Sequence, residues 1–131
     1  MATGLENLKI YQMAEKLEIE LHEITKSFPK DEKFRSVDQI RRSSSSVANN
    51  IAEGYNRYSL KEKERFLIIS KGEAEETKRN VLKSAKKAFL SSEEAKEIAT
   101  RYTELLKGIS GYIRFLKEKQ LSNLSTNKLR N

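Results

Sequence analysis

The chain has no cysteine, one histidine, one proline and five glycines. Without cysteine there can be no disulfide, thiolate metal site or cysteine nucleophile, and the composition suits a reducing compartment, so a cytoplasmic protein is expected. With His22 as the only histidine, neither a His–His metal pair nor a serine–histidine dyad can form within one chain. The single proline, Pro29, and the few glycines leave little to punctuate the chain, so few strands or tight turns are expected. Long apolar runs are also missing. The longest, Phe66 to Ile69, is far short of the roughly 20 residues that span a bilayer. Met1 to Asn7 lacks the basic and apolar regions of a signal peptide. There is no glycine-rich phosphate loop, no G-x-S-x-G elbow, and no Glu-x-x-His pair of the kind that holds two metals in helical bundles. These absences lead to the expectation of a non-enzyme with no cofactor, no metal and no membrane partner.

What the chain does have is charge and helical periodicity. Charged residues make up 34% of the 131 positions, which suits long helices with one narrow apolar stripe. Ile10, Met13, Leu17, Leu21, Ile24 and Phe28 recur at spacings of 3 and 4, and so do Val37, Ile40, Ser44, Val47, Ile51 and Tyr55. A third stripe runs through Phe66, Ile69 or Ser70, Glu73 or Ala74, Thr77, Val81, Ala85 and Ala88, and a fourth from Ala95 to Leu116. Four consecutive serines, Ser43 to Ser46, interrupt the second stripe and alone resemble a linker, but the periodicity on both sides keeps them helical. Gly54 is expected to end that helix. Ser59 with Glu62, and Ser91 with Glu94, have the spacing of capping boxes. Short links make neighbouring helices antiparallel, so the expected fold is all-α: an up-down-up-down four-helix bundle over residues 1–119, followed by a polar, fraying tail over 120–131.

Net charge is +7, unevenly distributed: residues 1–34 carry −2 and residues 60–90 carry +4. Lys78, Arg79, Lys83, Lys86 and Lys87 have no acid among them, and Arg79, Lys83 and Lys87 lie four apart along one helix edge. These five are the candidate nucleic-acid-binding residues, because a basic edge favours a polyanion. Cations near a helix C-terminus also complement the macrodipole, which accounts for some of them without any partner. The second candidate is a polar strip on the second helix, made of Gln39, Arg41, Arg42, Asn49, Asn50, Glu53 and Gly54. It is expected to form a structural or oligomer-forming network. Glu53 and Glu73 fall near apolar stripes and are expected to pair with arginines. Tyr11, Tyr58, Phe66, Phe89, Tyr112 and Phe115 are more aromatic surface than one such bundle hides, so some are expected between subunits.

Several of these segments form a recognisable set. Ser46 to Gly54, ending Asn50-Ile51-Ala52-Glu53-Gly54, resembles the S-x-x-x-N-I-A-E-G signature of the four helix bundle proteins encoded within bacterial 23S ribosomal RNA intervening sequences. Phe28-Pro29-Lys30-Asp31-Glu32 resembles the family's F-P-x-x-E turn, and Gln39 to Arg42 its Q-[IL]-R-R. Arg65-Phe66-Leu67 and Lys71-Gly72-Glu73-Ala74-Glu75-Glu76 resemble its third helix. The departures are Ser43 and Ser44, where alanines are frequent, and Glu73, where serine is usual. The resemblance implies a homopentameric ring and brings no catalytic residue with it. It also implies similarity to the accessory variability proteins of diversity-generating retroelements, which contact a reverse transcriptase and nucleic acid. The expected partners are therefore further copies of the chain, with RNA or a partner protein as the ligand. The leading function is RNA binding or scaffolding, and the alternative is an adaptor for such a reverse transcriptase.

Overall fold

Each of the four apolar stripes forms an α-helix. The computed structural model describes residues 4–130, with side chains as far as Ser125. The helices are α1 (Lys9–Thr25), α2 (Ser36–Asn56), α3 (Leu60–Lys86) and α4 (Ser92–Arg130). Single 3₁₀ turns at Gly4–Asn7 and Lys30–Glu32 complete the order, and no strand occurs among the described residues. No described helix is long and apolar enough to cross a membrane. The backbone of the polar segment from residue 120 is helical to Arg130, and the side chains from Lys117 to Ser125 are exposed.

Local chemistry sets most of the helix ends. The Ser59 hydroxyl accepts from the Glu62 amide at 3.1 Å and caps α3. The other half of that box is diverted, because the Glu62 carboxylate accepts from Arg65 Nε at 2.8 Å. Ser91 caps α4 through the Glu94 amide at 3.1 Å. The first turn of α2 is held by a carboxylate: Glu32 accepts from the Ser36 amide at 3.2 Å and from its hydroxyl at 3.0 Å. The amide bond is the main reason the Glu32 carboxyl lies below its ordinary pKa.

Two expected boundaries are corrected. Gly54 does not end α2, which continues to Asn56. A Cβ built on Gly54 would lie 3.1 Å from the Lys63 carbonyl oxygen and 3.3 Å from Leu67 Cγ, so the glycine lets α3 approach α2. Ala88 is not on the α3 stripe but beyond the helix, with φ at 64°. The Phe89 amide reaches the Ser84 carbonyl and the Ala88 amide the Ala85 carbonyl, both at 2.9 Å. This is a Schellman turn with alanine in glycine's usual place. Phe89 then packs on Phe28, with ring centroids 5.5 Å apart.

α2 packs most extensively on α3, α3 on α4, and α1 on α2 and, more lightly, α4. The inward face of α3 is Leu67, Ser70, Ala74, Thr77, Val81 and Ser84. Where the sequence left pairs open, the smaller member faces in: Ser70 rather than Ile69, and Ala74 rather than Glu73. Ser84 and Leu67 take the places expected for Ala85 and Phe66. The reason is the opposing face of α2, where Ser43, Ser44, Ala48 and Gly54 are buried and bring the two backbones close. Two hydroxyls bridge this seam. Ser70 donates to the Val47 carbonyl at 2.8 Å, and the Thr77 hydroxyl lies 2.7 Å from Ser43 Oγ. The serine run is therefore a close-packed helix face rather than a linker. α1 and α4 are joined by Arg101, whose two terminal nitrogens both bond the Glu20 carboxylate. This hydrogen bonding lowers the Glu20 pKa. Tyr102 is fully buried in α4, and its hydroxyl has no hydrogen-bond partner among the described residues.

Candidate functional site

The five candidate cations do not share one surface. Because successive residues of a helix are about 100° apart, the run from Lys78 to Lys87 spreads around the outer half of α3. Lys78 turns toward α4, where it lines a groove of about 490 Å³ with Lys71, Lys107, Arg114 and Glu75. Lys83 and Lys87 turn toward α2, where they line a cleft of about 350 Å³ with Arg35 and Glu32. Arg79 and Lys86 are exposed. α3 therefore has a basic flank on each side.

Among the described residues, each flank is lined by one carboxylate, Glu75 in the groove and Glu32 in the cleft. Glu32 is already bonded to Ser36. The described residues form seven ion pairs, and none involves Lys71, Lys78, Arg79, Lys83, Lys86, Lys87, Lys107 or Arg114. The cations on these flanks therefore form no direct ion pair, although Lys87 and Arg35 act through space on Glu32, whereas elsewhere Arg42, Arg57, Arg65 and Arg101 are paired at 3.4 Å or less. Lys71, Lys107 and Arg114 are absent from the sequence-based candidates. A signal for them exists: Lys71 and Lys78 are seven apart, as are Lys107 and Arg114, which puts each pair on one line of its helix.

The polar strip on α2 divides into two. Arg41 crosses to α1, donating from Nε to Thr25 Oγ1 at 3.0 Å and from a terminal nitrogen to the His22 carbonyl at 3.2 Å. Gly54 faces α3. Four other members bond within α2 or its end: Arg42 to Asp38 at 3.0 Å, Asn49 to Ser45 at 3.3 Å, Asn50 to Ser46 at 2.9 Å, and Glu53, which accepts from Arg57, at 3.2 Å. Gln39, Arg42, Asn49 and Glu53 are exposed. Of the strip, then, Arg41 is the member whose side chain hydrogen-bonds to another helix. Glu53 has the expected arginine partner. Glu73 is half-buried, and its carboxyl is raised first by that burial and then by a hydrogen bond shared with Glu76; Arg42 opposes the shift. His22 is exposed. Among the described residues no group of three His, Cys, Asp or Glu side chains is placed to hold a metal.

Four packed helices with a small polar seam and two basic flanks define an all-α protein whose distinctive surface is electrostatic. The model of the 23S rRNA-intervening sequence protein family matches residues 6–111, and the chain belongs to that family. A crystal structure of a protein of unknown function from the S23 ribosomal protein family of Bacteroides thetaiotaomicron is similar in fold, with a TM-score of 0.74 and 23% identity, over 80% of this chain and 95% of that one. No curated protein matches.

Proposed function

We propose that the protein is a non-catalytic, cytoplasmic, oligomeric nucleic-acid-binding or scaffold protein, and that the two basic flanks of α3 are its binding surface. The observation carrying this reading is the set of eight cations on and beside those flanks with no ion-pair partner among the described residues. Such charges gain most from a polyanion, whose condensed counterions they release. The family's origin in ribosomal RNA insertions makes RNA the first ligand to test. The test is a mobility-shift series with the intervening-sequence RNA at rising salt. Affinity is expected to fall steeply with salt, by a log–log slope of about −0.7 to −0.9 per phosphate neutralised, and Lys78→Glu with Lys83→Glu is expected to weaken it and flatten the slope. No binding at low salt, or binding indifferent to salt, would overturn the reading.

The helices are proposed to run antiparallel in up-down-up-down order. The pairings Ser43 with Thr77 and Val47 with Ser70 support this, because one number rises as the other falls. A homopentameric ring is proposed on the exposed apolar side chains Tyr58, Ile68, Phe115, Leu121 and Leu124 and on the unshared outer face of α2. The same apolar surface favours a second reading, an adaptor for a partner protein such as a diversity-generating reverse transcriptase. A reverse-transcriptase gene with a template repeat beside this gene would favour that reading, and its absence would count against it.

A further inference from the structure

The turn between α1 and α2 presents a side chain that helix packing does not explain. Phe34 is 85% exposed. A single exposed phenylalanine is ordinary, but this one stands on a hydrogen-bonded turn with cations beside it. The turn beneath it is fixed by the Glu32 amide on the Pro29 carbonyl at 2.9 Å and the Arg35 amide on the Glu32 carbonyl at 3.0 Å. It is fixed again by the Glu32 carboxylate on Ser36. The Lys33 ammonium lies 5.5 Å from the ring centroid. Phe34 also lines the α2–α3 cleft, together with Arg35, Lys83, Lys87, Gln39, Asn80 and the Ser36-bonded Glu32.

We propose that Phe34 and this cleft form a site for an unpaired nucleotide of single-stranded RNA. In this site a base stacks on the Phe34 ring, and the neighbouring phosphates lie against Arg35, Lys83 and Lys87. The inference rests on the nucleic-acid reading of the α3 flanks and adds to it the strandedness of the ligand. An exposed ring offers every base a π-face, whereas the bases of a duplex are already stacked on one another. The Gln39 and Asn80 amides supply donors and acceptors for a base edge. A mainly apolar protein ligand fits worse, because docking on Phe34 would desolvate the surrounding cations without pairing them.

The test uses the full chain with two probes, a fluorescein-labelled single-stranded RNA of mixed sequence and a duplex RNA of the same length, across a salt series from low to moderate. Phe34→Ala is expected to weaken single-strand binding by about 5- to 100-fold, and to leave duplex affinity and the salt slope nearly unchanged. Phe34→Trp is expected to restore binding. Because the chain has no other tryptophan, quenching of its fluorescence by the single strand, and not by the duplex, reports stacking directly. If Phe34→Ala leaves single-strand affinity unchanged, or weakens both RNAs equally, while Lys83→Glu with Lys87→Glu still abolishes binding, the stacking site is overturned and the basic-flank reading stands. If the unaltered chain binds neither RNA at low salt, both fall. A change in assembly mass on Phe34→Ala with no change in RNA affinity would make Phe34 a contact between protein copies, and would also overturn the proposal.

Discussion

Among the individual residues, Glu73 shows how a single position can work against the fold that contains it. It sits half-buried beside the α2–α3 seam, one residue before the inward-facing Ala74, and its carboxyl is raised chiefly by burial and then by Glu76. A carboxyl with a raised folded pKa binds its proton more tightly in the native state than in the unfolded chain. Its ionisation therefore costs stability, and that cost is complete at neutral pH and absent once the pH falls below the unfolded value of about 4.3. Glu73→Gln is expected to stabilise the protein at pH 7 by about 0.5 kcal/mol, roughly the size of an unfavourable like-charge pair one turn apart. The gain should vanish toward pH 4. Urea midpoints at both pH values, at one protein concentration, would check this; an equal change at both would refute the electrostatic account.

At the scale of the elements, the ends and the seam of α3 carry the clearest consequences. Ala88 holds a left-handed conformation that an alanine side chain disfavours. Ala88→Gly is expected to stabilise the Schellman turn by about 0.5–1 kcal/mol, after the glycine's greater unfolded-state entropy is subtracted. Gly54→Ala should act in the opposite direction. A mid-helix alanine is favoured by about 1 kcal/mol in isolation. Here its Cβ would press on the Lys63 carbonyl oxygen at 3.1 Å, a backbone atom that cannot swing aside. A net loss of about 1–2 kcal/mol is expected from overpacking. Thermal melts of the two variants, moving in opposite directions, would check both.

At the scale of the whole molecule, a net charge of +7 per chain in a fivefold ring would give roughly +35 before screening, repeating the α3 flanks around the assembly. Light scattering at micromolar concentration is expected to return five times the chain mass, and the unfolding midpoint is expected to rise with protein concentration, as it must when folding and assembly are linked. A monomer by scattering, with a midpoint independent of concentration, would contradict the ring. The exposed Tyr58 and Phe115 then have to find another explanation, because neither packs into the core of its own chain.

The number of helices and the caps of α3 and α4 were legible in the chain alone. Those depend on local spacing and on side chains a few residues away, as with Ser59 over Glu62 and Ser91 over Glu94. The signature strip of α2 was legible as well, because the motif is contiguous. Which side of α3 faces inward was settled by packing between helices. That helix has no strongly apolar stripe, and the choice between Ile69 and Ser70 depends on how closely the small residues of α2 allow the two backbones to approach. The same rotation of α3 separates Lys78 from Lys83 and Lys87, so that a continuous basic run in the chain becomes two flanks facing different neighbours. It also brings Arg35, from a different helix connection, beside Lys83, at a sequence distance that no periodicity connects.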